Sequence, residues 1–363
     1  MSKIDGVFLR YVGRLFVTRF VGLLAFFVIV LQALDLLNHS DTIMAAPGAT
    51  SKSIVQYLLL RAPEIVSQFT PFAALLAIVV TLSALNLSSE IVIMRAAGMS
   101  VHRVLAPIAV SCLLISVAHF SFHELVVVSG SERLAYWAAN DYAVGLTRDE
   151  STRTNIRVTH DGEIISAAAA ARIGDSVKLT DVNIYDLDDR GLVSAVTEAK
   201  SAIHEKGEWR LFDVREASDP TATATEEKSR VWKTSLNPEL LFALTLNPDR
   251  SSIPTIIRQI AQLKTDGADA KPAMTSLLGR FSKPMATLLM PLLGAIAGFG
   301  VSRQGNQLVR ASAGAALGFG YFVAENLMLA IGALGVAPPV IGAFFPFALF
   351  LVVGFAILLA MES

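Results

Sequence analysis

Six runs of this chain are apolar over the length that a helix needs to cross a bilayer, and that constrains its fold more than any other feature. A helix rising 1.5 Å per residue needs about 20 mostly apolar residues to span the hydrocarbon. The runs cover residues 20–37, with Asp35 near the end, 65–89 without a charge, and 104–123, closed by His119 and His123. Three more follow at 284–301, 311–334, where Glu325 is the one charge, and 335–361. The remaining composition agrees: of 363 residues, 53% are hydrophobic, only 17% are charged, and the mean hydropathy is +0.55. A soluble surface calls for more charge than that. The proline residues at 71, 291 and 346 fall within these runs. Membrane helices tolerate them where neighbours satisfy the freed carbonyls.

Six spans place both termini on one side of the membrane, and the basic residues select the side. Lys3, Arg10, Arg14 and Arg19 precede the first span, Arg95 and Arg103 lie between the second and third, and Arg303 and Arg310 lie between the fourth and fifth. Lys52 and Arg61 occupy the short loop opposite. Lys and Arg are retained in the cytoplasm, so both termini are expected there. A cleaved signal peptide fits residues 1–49 poorly. The basic region before the first apolar run is too long, and Asp35 interrupts the run itself.

Between the third and fourth spans lies a stretch of different texture. Short alternating runs at 155–160, 163–168, 178–187, 192–204 and 209–214 are separated by the turn signals Asp161-Gly162, Asp188-Asp189-Arg190-Gly191 and Lys206-Gly207. This predicts an all-β sandwich or jelly roll on the outer face. Residues 129–150 read as a helical extension of the third span, and 250–275 as a short helix followed by a polar linker. The expected organisation is three spans in 1–128, a periplasmic β domain with helical linkers in 129–275, and three spans in 276–363.

Several chemistries are excluded. The formal charge of −1 and pI near 6.6 give no basic footprint for nucleic acid. The single cysteine, Cys112, can form neither an internal disulfide nor a thiolate zinc cluster. The chain contains no G-x-x-x-x-G-K-[ST] phosphate loop, no G-x-S-x-G elbow and no H-E-x-x-H pair. His119 and His123 are four apart with Glu124 adjacent, a spacing that zinc could use in a membrane-anchored periplasmic metalloenzyme. A polar helix end at the membrane surface accounts for the same residues. The pairs Gly294/Gly298 and Gly314/Gly318 predict close helix approach, within the chain or with a partner.

The loop between the second and third spans carries more information. Ser88 and Ser89 can cap a short helix over 87–99, Glu90 suits its first turn, and Ile91, Met94 and Arg95 follow at helical spacing. Gly98 can end it in the left-handed conformation. Such a helix either anchors on the inner surface or docks a cytoplasmic partner.

Four segments in order carry a resemblance. They are Phe8-Leu-Arg-Tyr11-Val-Gly-Arg14, Ser89-Glu90-Ile-Val-Ile-Met94-Arg-Ala-Ala-Gly98, Trp232-Lys-Thr-Ser-Leu-Asn-Pro238, and Gly335-Val-Ala-Pro-Pro-Val-Ile-Gly342-Ala-Phe-Phe-Pro346. With the 3+β+3 order, they resemble the lipopolysaccharide export permeases of the LptF/LptG family. The third and fourth segments look closer to the LptG branch.

The resemblance implies a non-enzymatic permease of an ABC-type exporter that binds no cofactor itself. In such exporters two sister permeases share a cytoplasmic ATPase dimer, which holds the ATP. They work with a single-span regulator and periplasmic bridge proteins that receive the lipid. Glu90, Ile91, Met94, Arg95 and Gly98 align with the ATPase-coupling position. Apolar faces of the first and fifth spans would line the lipid path through Phe26, Val30, Leu34, Phe319, Phe322 and Leu329. Glu325 would either meet a polar group on a neighbouring span or lie in the polar part of that path, with Lys52 and Arg61 at its outer rim. Basic positions suited to lipid phosphates are replaced here by Gln32, Asn38 or His39, Glu64, Tyr136 and Ala139. The nearest basic alternatives are Lys52, Arg61 and Arg133. An ATPase-linked mechanotransmission subunit is the competing reading, and six apolar runs exceed what such a protein needs.

Overall fold

A computed structural model describes residues 3–144, 152–160, 162–173, 176–187, 193–205, 207–217, 225–238, 241–242, 247–265, 267–299 and 307–362. The chain divides into two units. One comprises Met1–Tyr136, Pro248–Ile256 and Ala270–Ser363, the other Trp137–Asn247 and Ile257–Asp269.

The first unit is helical, and each apolar run falls largely on one helix. The first helices are α1 (Lys3–Ala45), α2 (Ser51–Leu87), the short α3 (Glu90–Ala96) and α4 (Val101–Phe122). A π-turn, His123–Val127, joins α4 to α5 (Val128–Ala139), so the third span continues as one rod to residue 139. The rest of its expected extension, 145–150, lies outside the described residues. After α6 (Ile253–Thr265) come α7 (Lys271–Phe299), α8 (Gln307–Ala333) and α9 (Pro339–Glu362). Five segments among the described residues are long and apolar enough to cross a membrane: Val7–Ala45, Ser51–Leu87, Val101–Ala139, Ala311–Ala333 and Pro339–Leu359. The remaining expected span corresponds to α7, which carries Arg280 and Lys283 near its middle. The end of that span at Val301 lies outside the described residues.

Packing centres on α2, against α1, α7 and α8. Leu75, Ile78, Leu82 and Leu85 of α2 are buried with Val12, Phe16, Ile108, Leu289, Leu293 and Tyr321. A Cβ placed on Gly294 would lie 2.6 Å from Ile78 Cγ2, and one on Gly318 would lie 2.1 Å from Leu75 Cδ2. The two small-residue pairs therefore seat α2 within this chain, through Gly294 and Gly318. Cys112 is buried in the same core.

The second unit contains one antiparallel sheet, β1 (Thr152–His160), β2 (Glu163–Ile173), β3 (Ser176–Leu187), β4 (Val193–Glu205), β5 (Glu208–Ala217) and β6 (Thr225–Trp232), paired in sequence order. The inserted all-β domain is as expected. Its strands form a meander rather than the crossed order of a jelly roll, because tight turns such as those at Gly162 and Gly207 return each strand beside its predecessor.

Two layers arise instead by bending. Pairing skips one rung across the whole sheet: Ala167↔Val182 and Ala169↔Thr180 pair on either side of it, as do Ala199↔Val214 and Ser201↔Phe212. Buried residues flanking that rung are three apart instead of two, as in Ala167 and Ala170, Leu179 and Val182, Ala199 and Ala202, and Leu211 and Val214. Side chains alternate faces along a strand, so this slip of phase turns a corner in each strand. Asp181 and Asp213 turn it with φ of 50° and 53°, a region that Asp enters more readily than most residues. The fold brings distant ends together: Trp232 Nε1 donates to Glu163 Oε2 at 3.2 Å, although Trp232 pairs with the far end of the sheet through Trp209.

Candidate functional site

The helix α3 sits between two long membrane helices, and its termination follows from the sequence. Gly98 adopts φ +82°, its amide donates to Arg95 O at 3.0 Å, and the Met99 amide reaches Met94 O at 3.1 Å. This double closure satisfies carbonyls that the helix end would otherwise orphan. The start differs from the expected cap. Ser89 has φ 57° and makes no side-chain cap bond, while Ser88 Oγ donates back to Ala84 O and Leu85 O and to Glu90 Oε1 at 2.8 Å. A sharp turn directly after α2 puts Ser89 in the left-handed region, where its hydroxyl cannot cover the first amides.

Glu90, in the first turn as expected, is half-buried, and Tyr11 Oη donates to its Oε1 at 3.3 Å. The first and second resembling segments thus meet here, which no local sequence signal announces. Ile91 is buried and Met94 is half-buried against the helical core, so these two hold α3 in place. The outward face belongs to Leu87, Val92 at 59% exposure, Ile93 at 65% and Arg95. Val92 and Ile93 escaped the sequence reading because a seven-residue helix is too short for periodicity to assign faces.

The proposed lipid-path residues fall into two groups. Phe26, Val30 and Leu34 on α1 and Phe319 on α8 are exposed, and only 11% of the most apolar window of α1 is buried. Phe322 and Leu329 are half-buried, Leu329 packing against Gly279. Phe319 meets Phe72 edge-on at 6.4 Å. Lys52 and Arg133 are exposed. Arg61 is not free for an anionic headgroup: it pairs with Asp35 at 3.2 Å and with Glu64, and Tyr57 Oη donates to Asp35. Gln32 donates to Leu58 O at 2.8 Å, tying α1 to α2 in the same region. Glu325 is only 5% exposed and so faces the interior of this chain rather than an open cavity wall.

The metal-like trio is dispersed among separate partners. His119 Nε2 bonds Ser67 Oγ at 2.8 Å. His123 Nδ1 lies 2.6 Å from Arg280 Nη1. Glu124 Oε1 accepts the Ile253 amide at 2.7 Å. Among the described residues, no group of three or more His, Cys, Asp or Glu side chains is placed to share an ion. Arg280 is the hub: its Nη2 donates to Pro248 O, Asp249 O and Ser251 O at 3.1, 2.7 and 2.9 Å. Sequence spacing gave no hint of Arg280.

The arrangement is that of a membrane protein with an outward apolar knob on a short helix, an exposed apolar first helix and an inserted bent sheet. The profile of the family described as "Lipopolysaccharide export system permease LptF/LptG" matches residues 10–360. The chain is 25% identical over 362 residues to the lipopolysaccharide export system permease protein LptG of Escherichia coli (strain K12), covering 98% of each. It is 27% identical over 310 residues to the LptG protein of Haemophilus influenzae (strain ATCC 51907 / DSM 11121 / KW20 / Rd), covering 81% of this chain and 82% of that one. These relatives are named as permeases, not as enzymes. A match running through the helices, the knob and the sheet alike leaves one assignment: the chain belongs to the LptF/LptG family of lipopolysaccharide export system permeases.

Proposed function

We propose that the chain is the LptG-like permease of an ABC-type exporter that extracts lipopolysaccharide from a bacterial inner membrane and passes it to a periplasmic bridge. In this reading both termini are cytoplasmic, the bent sheet is periplasmic, and the chain binds no cofactor. Its partners are a sister permease, an ATPase dimer that holds the ATP, a single-span regulator and bridge proteins. The exposed faces of α1 and α8 meet lipid or the sister permease. Phe26, Val30, Leu34 and Phe319 lie on those faces, and hydrocarbon tails require such apolar walls.

The observation that carries this reading is α3. Leu87, Val92 and Ile93 form an outward apolar knob beside Arg95, on a helix closed at Gly98 and joined by short turns to two membrane helices. Force applied there reaches α2 and α4 directly. An exposed apolar cluster rimmed by charge marks a protein or membrane contact, and the alignment of this segment with the family's coupling position favours the protein.

Co-purification tests it. Ile93→Asp should abolish recovery of the ATPase with the permease pair, because a carboxylate would be buried in the contact without a partner. Glu90→Lys should weaken recovery, and Tyr11→Phe separates the two roles of Glu90. If Tyr11→Phe reproduces the defect, Glu90 serves to hold α3 on α1. Full recovery of the ATPase with Ile93→Asp would refute docking at α3.

A further inference from the structure

We propose that Lys283 receives the phosphate of an anionic lipid headgroup, with the buried Glu325 carboxylate behind it as an opposing charge that sets how tightly. Lys283 immediately precedes the apolar run 284–301, and other polar groups close neighbouring runs: Ser67 near the start of 65–89, and His119 and His123 at the end of 104–123. The charge of Lys283 acts on His119, His123 and Glu325, and His119 Nε2 bonds Ser67 Oγ at 2.8 Å. Helices α2, α4, α7 and α8 thus build one polar layer where the hydrocarbon ends, the depth at which headgroups begin. In the export reading, on which this assignment rests, that layer lies on the outer side.

The other charged groups of the layer are engaged inside the protein. Arg280 donates to three carbonyls, and Glu124 accepts the Ile253 amide. Glu325, only 5% exposed, has the Tyr321 hydroxyl one turn earlier as its side-chain partner. Lys283 differs. It is exposed, and among the described residues it makes no hydrogen bond and no ion pair. Nor does it stand on a solvated face. Gly279, Arg280, Ala286 and Thr287, its neighbours three and four residues away on α7, are all buried. A lysine stem can follow such a packed surface and deliver its ammonium to polar surroundings at the end.

An ammonium at the edge of the hydrocarbon is costly without a counter-charge. Glu325 supplies part of one from the interior, at a distance, since no ion pair joins the two. A phosphate oxygen arriving from the lipid side completes it by a charge-assisted contact, and a compact ammonium serves phosphate well as a point charge. A zwitterionic headgroup brings its own cation and gains less. Glu325 repels the incoming anion, so loss of its charge should tighten binding. A merely structural role for Glu325 would not.

Acylation of lysines by an N-hydroxysuccinimide ester tests the site on the purified permease complex in neutral detergent, with labelling read at Lys283 by peptide mass spectrometry. Phosphatidylglycerol should protect Lys283 saturably, and phosphatidylcholine with the same chains should not. At about ten times the half-protecting concentration, labelling should slow about tenfold, as simple occupancy requires. Glu325→Gln should lower the half-protecting concentration several-fold. Equal protection by the two lipids would mean that acyl chains cover the lysine, and equal protection by sodium phosphate at matched ionic strength would mean a free anion. Either result overturns a headgroup site, as does a labelling rate at Lys283 that no additive changes. An unchanged half-protecting concentration in Glu325→Gln would overturn the opposing role of that carboxylate. The wild-type arms need no substitution and no transport, so their failure leaves the export reading, tested by recovery of the ATPase, untouched.

Discussion

At Gly318, one added carbon would sit 2.1 Å from Leu75 Cδ2 and 2.9 Å from Leu75 Cγ, and Leu75 is fully buried. The crowding reaches the root of that side chain, so no rotamer change of its tip relieves it. Gly318→Ala should therefore destabilise the bundle by about 1–3 kcal/mol, as overpacking does. Leu75→Ala added to Gly318→Ala should recover part of the loss, which a double-mutant melting cycle measures. Gly22 offers the opposite case. It lies within α1, and a Cβ there meets nothing within 4 Å. Gly22→Ala should be neutral or stabilising by up to about 1 kcal/mol. Spacing alone announced that Gly294 and Gly318 allow close approach. Their partner helix, more than 200 residues earlier in the chain, left no mark in that spacing. The same limit hid the Tyr11 to Glu90 contact and the role of Arg280, since each joins segments far apart in sequence.

Elements were legible wherever periodicity or a turn residue dictated them. The closing glycine of α3 was readable because only a left-handed residue completes that double closure, and Gly98 supplies it. The faces of α3 were not, and they decide what the helix presents. Five strands were visible through their alternation. The sixth, β6, was not, because its inward positions are Glu227, Arg230 and Trp232: Arg230 lies opposite buried Leu211 and pairs with Glu216 at 2.7 Å and with Glu227 at 3.0 Å. Inward charge on an outer strand is a known guard against edge-to-edge pairing, and it erases the apolar pattern. The corner across the sheet was equally silent, since pairing is kept and only the phase of burial slips. Its test lies at Asp213, whose φ is 53°. A β-branched residue there meets a cost of about 1–2 kcal/mol. Asp213→Val should therefore lower the melting temperature clearly, and Asp213→Gly should be close to neutral. Equal stability of the two variants would mean that the bend does not depend on that backbone conformation.

Across the whole molecule, a chain that leaves the helical unit after Tyr136 and re-enters it at Pro248 needs its return point fixed, and Arg280 fixes it. The guanidinium binds three carbonyls within 248–251 and a ring nitrogen of His123. Glu124, in the π-turn beside His123, holds the Ile253 amide. Ser276 adds a bond from α7 to Asp249. Membrane-helix arginines are costly unless fully partnered, and this one is buried with a partner for each Nη nitrogen. A planar fork of donors can serve four acceptors in one geometry, whereas an ammonium on a flexible stem cannot. Arg280→Lys should therefore keep the charge and lose most of the clamp. Arg280→Ala leaves three carbonyls stripped of a charged donor, a loss of about 1.5–3 kcal/mol for each such bond before relaxation. Hydrogen exchange reads the consequence locally. Amides in 251–256, Ile253 above all, should exchange much faster in Arg280→Ala, and Arg280→Lys should lie nearer to that variant than to the wild type. Helices α1 and α2 should keep their protection, because neither contributes a bond to the clamp. Unchanged exchange through 251–256 in Arg280→Ala would show that Glu124 alone holds the returning chain, and that the carbonyls gathered around Arg280 are satisfied without it.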